Sequence, residues 1–215
     1  MTASAVPSVR RRPDLTGLGL VLGPVAFIGA WATAGARTPG YVPTRDAISR
    51  TAAVGAPERP LMTAGFLAFA ACAAVGSVAL RRHVPGPAWI ATAVNAAATV
   101  GVAASPLERS DLVDAAHTVT ATTGYVSLAL TPLLAARPLA EAGHRGLARA
   151  SVATGVAVGA CLAATAGLES SGLPQRVGLT IGDAWLIAAG LAIVSGHTLR
   201  PGGGTGPAPA VRAGP

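Results

Sequence analysis

The chain has 215 residues, of which 51% are hydrophobic and 12% charged, with a mean hydropathy of +0.54. Soluble domains carry about a quarter charged residues, so the composition excludes an ordinary globular domain and points to a membrane protein. A formal charge of +7 would suit nucleic acid if it lay in one patch, but Arg10, Arg11 and Arg12 form the only basic triplet and the other arginines are scattered among short connections. That excludes a nucleic-acid partner, because no electrostatic footprint is left.

In chain order, apolar stretches run from Leu15 to Ala36, Leu61 to Leu80, Ala88 to Ala104, Leu112 to Ala135, Leu147 to Leu168 and Gly182 to Leu199. Each is long enough to cross about 30 Å of hydrocarbon at about 1.5 Å per residue, the third and sixth being the shortest. None alternates in polarity or carries a turn signal every ten residues or so, as barrel strands would. The expected fold is therefore all-α, a polytopic transmembrane bundle of six spans over residues 15–199. A basic tail (1–14) and a Gly/Pro-rich tail (200–215) flank it, and both are expected to be disordered.

Arginine asymmetry then sets the orientation, since short cytoplasmic loops are enriched in basic residues. With six spans, one side receives both tails, the turn after Leu80 and the loop after Ala135, which together hold ten arginines against Asp14 and Glu141. The other side holds six arginines against seven carboxylates. Both termini are expected in the cytoplasm of a cell whose plasma membrane holds the chain. One alternative stands for the first stretch: a basic n-region and the small residues Ala32-Thr33-Ala34 or Ala34-Gly35-Ala36 also fit a cleaved signal peptide.

Small residues fill the spans, as in Ala68-Phe69-Ala70-Ala71-Cys72-Ala73-Ala74, and permit the close backbone approach on which helix packing in lipid depends. Gly155 and Gly159 form a small-xxx-small pair that fits packing inside the bundle, with a homo-oligomer through such faces as the other reading. Pro24 and Pro132 sit within spans and predict bends. Cys72 and Cys161 lie in apolar runs and read as small hydrophobes, not a disulfide framework. Asn95 is the strongly polar residue at depth, where a helix–helix hydrogen bond is expected.

Candidate chemistry lies on the side expected to be extracytoplasmic. The long connection from Arg37 to Pro60 carries Tyr41, Arg45, Asp46, Ser49, Arg50, Glu58 and Arg59, and Thr44 is placed to cap a short helix with Asp46 in its first turn. At the start of the fourth span Asp111, Asp114 and His117 recur every three residues and so share one helical arc. Thr118, Thr120, Thr122 and Thr123 follow on that helix, where threonine hydroxyls also bond their own backbone. Glu169, Gln175, Arg176, Asp183 and Trp185 form a third outer group, with Trp185 and Trp31 read as interfacial aromatics. His83, His144 and His197 fall on the opposite side, out of reach of His117.

Three readings fit this cluster. It is a structural network of arginines (37, 45, 50, 59, 109, 176) paired with Asp46, Asp111, Asp114, Glu169 and Asp183; or a vestibule for a small polar ligand or a lipid head group, in a binding protein or transporter; or a metal site or hydrolase built on Asp111, Asp114 and His117. No HExxH motif, second nearby histidine or Gly-x-Ser-x-Gly elbow supports the last. No internal repeat supports a transporter.

Gly40-Tyr41, Arg45-Asp46-Ala47-Ile48-Ser49, Ala56-Pro57-Glu58-Arg59-Pro60-Leu61-Met62, the acidic approach to His117 and Gly172-Leu173-Pro174-Gln175-Arg176-Val177 occur in this order. In this the chain resembles the uncharacterised bacterial six-helix membrane family catalogued as domain of unknown function nine-nine-eight, over roughly residues 15–199. The resemblance implies six membrane helices and brings no activity, cofactor or ligand. One departure is Ser105-Pro106, where the family pattern suggests an aromatic residue before the proline. The reading is a non-enzymatic, multi-pass protein without catalytic or metal-binding residues or a cofactor, with the bilayer as its partner. Its candidate ligand-binding residues, Asp46, Arg50, Asp114, His117, Gln175 and Arg176, are expected to meet in space.

Overall fold

The computed structural model describes residues 13–167 and 171–200. The expected disorder of the tails falls on residues outside these, as does Glu169, except at residues 13, 14 and 200. Contrary to that expectation, Asp14 caps a helical turn and Arg200 bonds the Arg81 carbonyl.

Among the described residues six α-helices form: α1 (Gly19–Arg37), α2 (Arg59–His83), α3 (Ala88–Ala104), α4 (Asp111–Glu141), α5 (Arg145–Gly167) and α6 (Gly172–Val194). Short 3₁₀ turns precede α1 at Leu15–Leu18 and bridge the first long loop at Ile48–Ala52. No strand occurs among the described residues. All but α3 are long and apolar enough to cross a membrane, and α3 is a shorter apolar helix of 17 residues. Each helix packs on its sequence neighbours and α6 returns to α1, closing a ring. Because α6 also touches α2 and α4, it is the element best placed to bury polar groups.

The core is made of Leu20, Phe69, Leu80, Leu128, Leu139 and Leu186 with many alanines between them. Outward-facing positions are equally apolar, including Leu22, Val25, Leu67, Val119, Val156 and Leu191. A helix apolar all round belongs inside a membrane. Helix contacts are correspondingly tight: a Cβ at Gly19 would overlap the Cys72 carbonyl and lie 2.8 Å from the Gly76 amide nitrogen on α2. Gly155 abuts Leu133 and Ala129 of α4, which is packing within the bundle, whereas a Cβ at Gly159 would meet nothing.

The first and last described residues, called here the chain ends, reach the same end of the bundle, at the C-terminus of α2. Asp14 caps the first 3₁₀ turn through the Thr16 amide (3.0 Å) and meets His83 Nε2 at 3.1 Å and Arg82 at 3.3 Å. The Leu199 amide donates to the His83 carbonyl at 2.9 Å. The Thr16 hydroxyl above all, against the opposing effect of burial, holds the Asp14 carboxyl well below its ordinary range. The loops 38–58 and 105–110 and the first turn of α6 gather at the other end, called here the loop end.

The sixth helix corrects the sequence reading. It starts at Gly172, not Gly182, because Pro174, Gln175 and Arg176 dilute the hydropathy of a first half whose polar groups are satisfied by a distant loop. Asp183 consequently lies midway along α6 and is 1% exposed, not at an outer boundary. Trp185 moves with it: its indole donates to Ser151 Oγ on α5 at 3.0 Å, inside the half of the bundle nearer the chain ends.

Gly19→Ala is expected to cost about 1–3 kcal/mol, the usual range for overpacking against atoms that cannot yield, and Gly159→Ala to be neutral. Thermal melts of both variants in detergent check the pair.

Candidate functional site: a clasped loop over a polar cavity

After α1 the chain turns at Gly40, whose φ of 74° suits a residue without a Cβ. Asp46 Oδ2 then accepts the Val42 N–H at 2.7 Å, and the Asp46 and Arg45 amides return to the Val42 carbonyl at 2.8 and 3.0 Å. This corrects the expectation that Thr44 caps a helix holding Asp46. The helical turn begins only at Ile48, without a side-chain cap, since the Asp46 carboxylate closes the preceding turn. Arg45 Nε bonds Asp46 Oδ1 at 3.0 Å, and this bond first, with the Val42 amide second, lowers the Asp46 carboxyl below its ordinary 3.8.

The first turn of α6 grips that loop. The Gly172 and Leu173 amides, orphan donors of a helix N-terminus, donate to the Arg45 and Thr44 carbonyls at 3.1 and 2.9 Å. Arg176, 8% exposed, donates through Nη1 to the carbonyls of Asp46 (3.0 Å), Gly172 (2.9 Å) and Pro43, and through Nη2 to the Tyr41 hydroxyl. Its guanidinium lies 5.3 Å from the Trp31 ring centroid and 5.5 Å from that of Tyr41, close enough for attraction to both π faces. Hydrogen bonds to a charged group contribute about 1.5–3 kcal/mol each, so carbonyls and rings do the work expected of a carboxylate partner. Burial raises the Tyr41 hydroxyl above its ordinary value of 10.0, with Arg176 opposing. Next to Arg176, Gln175 accepts the Ile48 N–H through Oε1 at 2.8 Å and donates through Nε2 to the Tyr125 hydroxyl. The chain has two tyrosines, and both are bonded to this Gln–Arg pair.

Beneath the clasp lies an interior cavity of about 50 Å³ whose wall includes Ser49, Asn95, Thr99, His117, Tyr125 and Asp183. Ile48, which Gln175 fixes, is part of the same wall. His117 is 5% exposed, and its Nδ1 is 2.7 Å from the Ser105 carbonyl. A carbonyl only accepts, so Nδ1 carries hydrogen, and in the neutral ring Nε2 keeps a lone pair. The Ser105 departure from the family pattern thus sits where His117 is anchored. Thr99 Oγ1 lies 3.3 Å from Asn95 Oδ1 on its own helix. The bond found for the Asn95 side chain is within α3, not between helices as expected. Asp183 Oδ2 is buried without any partner.

The six candidate residues therefore divide. Asp46, Gln175 and Arg176 form the clasp, and His117 lines the cavity beneath it. Asp114 Oδ1 accepts the Glu108 amide at 2.9 Å, holding Glu108 at a φ of 66° that non-glycine residues seldom adopt. Arg50 meets Glu108 at 3.5 Å at an exposed rim, a weak pair by its exposure. Asp111 is exposed, so the stripe expected along α4 descends from solvent to cavity without gathering its members. Arg45 takes its expected partner Asp46, whereas Arg37 pairs with Glu58 at 3.9 Å. Thr118, Thr120 and Thr123 bond their own helix. Among the described residues no three His, Cys, Asp or Glu side chains converge as metal ligands.

The sequence reading missed Tyr125 and misplaced Asp183. Tyrosine scarcity was a usable signal for the first. For the second, an ionisable residue twelve positions before Ser195 was a reason to extend α6 upstream.

Apolar helices with apolar exteriors around a small polar interior define a multi-pass integral membrane protein. The chain belongs to the family described as protein of unknown function (DUF998), whose model matches residues 21–192, a span that contains both clasp and cavity. No curated protein and no solved structure matches it.

Asp46 supplies a pH prediction. A lowered folded value means that its contribution is full above the ordinary carboxylate value of 3.8 and is lost as pH falls toward the lower folded value. Hydrogen exchange over residues 42–48, corrected for intrinsic rates, should lose protection as the pH falls below the ordinary carboxylate value of 3.8, and Asp46→Asn should already lack that protection above it.

Proposed function

We propose that this is a non-enzymatic, six-span protein of the bacterial plasma membrane, with both termini cytoplasmic, that binds a small ligand in the cavity beneath its clasped extracytoplasmic loop. The observation that carries the reading is Asp183, a buried carboxylate with an unpartnered oxygen in the wall of a polar cavity built by several helices. Ionisable groups at membrane depth are costly and mark function by default. In this reading Asp46, Gln175 and Arg176 close the site, Asp114 and Arg50 steady its rim, and His117 faces the ligand.

Transport is the lesser reading, because polarity ends just below the cavity. There Thr92 and Thr131 meet each other at 3.3 Å and bond their own helix carbonyls, and beyond them come Leu80, Ala88, Ala135 and Leu139. A purely structural cluster would explain the clasp but not the unpartnered Asp183.

The test is thermal unfolding of detergent-purified protein against a panel of small ions and small polar solutes, with wild type, His117→Ala and Asn95→Ala. A solute that raises the wild-type Tm and loses most of that effect in both variants supports the reading. A wild type that no solute shifts, with both variants simply melting early, makes the cluster structural.

A further inference from the structure

We propose that the cavity is a binding site for one alkali cation, with Asp183 as its charged ligand, Asn95 and Thr99 as neutral oxygen ligands, and His117 beside them in the cavity wall. This rests on the ligand-binding reading above and names the ligand class.

Charge balance comes first. Asp183 is 1% exposed and leaves Oδ2 without a partner, yet no arginine lines the cavity. Arg176 shares the inner face of α6 two turns away, but its Nη1 and Nη2 are held by the loop carbonyls and Tyr41, and its Nε, buried without a partner, makes no bond to Asp183. A buried carboxylate without a counter-charge costs several kcal/mol. One monovalent cation restores neutrality, whereas a divalent ion would leave a net positive charge in an apolar interior and ordinarily recruits several carboxylates.

Size and donors agree. A water needs about 10–15 Å³ on this scale, so about 50 Å³ holds a single ion with about two to four waters and has no room for an ion with its full hydration shell. Thr99 Oγ1 donates its hydrogen to the Asn95 carbonyl at 2.9 Å, which leaves its lone pairs to accept or ligate. Asn95 Oδ1 completes a neutral oxygen set, and the His117 Nε2 lone pair is left to accept from a water bound to the ion. Phe27, Phe66 and Phe69 form the apolar side of the cavity, with Phe27 centred 5.8 and 5.6 Å from the other two rings. Aromatic faces tolerate a cation where aliphatic walls would not.

The experiment is binding of radioactive sodium and rubidium to purified wild type by equilibrium dialysis. It is paired with thermal melts of wild type and Asp183→Asn in sodium, potassium and N-methylglucamine chloride at equal ionic strength. The proposal expects saturable uptake approaching one ion per chain and a wild-type Tm that rises with one alkali salt over N-methylglucamine. Asp183→Asn should melt at one Tm in all three salts. Absence of saturable uptake with equal wild-type melting overturns it and leaves Asp183 neutralised by a proton, as does an alkali effect that survives in Asp183→Asn. Should Asp183→Asn fail to fold, wild-type uptake alone decides. A small polar solute that shifts the melt while alkali ions do not would sink the cation and spare the ligand-binding reading.

Discussion

A guanidinium buried at the mouth of an apolar bundle must find acceptors, and Arg176 finds them in backbone carbonyls of a loop more than a hundred residues away. That requirement organises the loop end. The loop must bring Pro43 and Asp46 to α6, which needs the turn that Asp46 closes. The helix must present Gly172 where a Cβ would lie 2.6 Å from the Asp46 carbonyl. The rings of Trp31 and Tyr41 flank the charge. Once the loop is held, Gln175 can fix Ile48, and the 3₁₀ turn becomes a wall of the cavity.

The bundle is therefore two materials end to end. Toward the chain ends it is dry, held by small-residue contacts such as Gly19 against α2 and fastened by Asp14 at the foot of α2. Toward the loop end polar groups from α3, α4 and α6 converge on a space of molecular size. Low dielectric makes each satisfied bond there stronger and each unsatisfied group more costly, so the unpartnered Asp183 oxygen and the unpartnered Arg176 Nε stand out against the bonds that hold the clasp.

How much of this the sequence revealed follows from what was local. The third helix was legible to the residue, because Pro87 and Ser105 bound a run that is free of charged residues, of proline and, apart from Gly101, of glycine. The phase of Asp111, Asp114 and His117 was legible too, since helical period is local, but period gives direction and not partners. Asp114 turned out to serve a loop amide and His117 a cavity. Gln175 and Arg176 were singled out correctly as unusual while the helix around them was cut short, for one reason: their compensation lies in a distant loop that no window of neighbours contains. Asp183 was displaced by the same error, and with it the interior character of the site.

The account stands on the Arg176 clasp closing the cavity from outside. Its most direct test replaces Cys72 and Cys161 with alanine, introduces Thr99→Cys in the cavity wall, and follows labelling by a small water-soluble thiol reagent with and without Arg176→Ala, in protein shown to be folded by size exclusion. The account predicts slow labelling with Arg176 present and clearly faster labelling without it. Equal rates in the two folded proteins would contradict it, placing the closure of the cavity elsewhere than in the clasp.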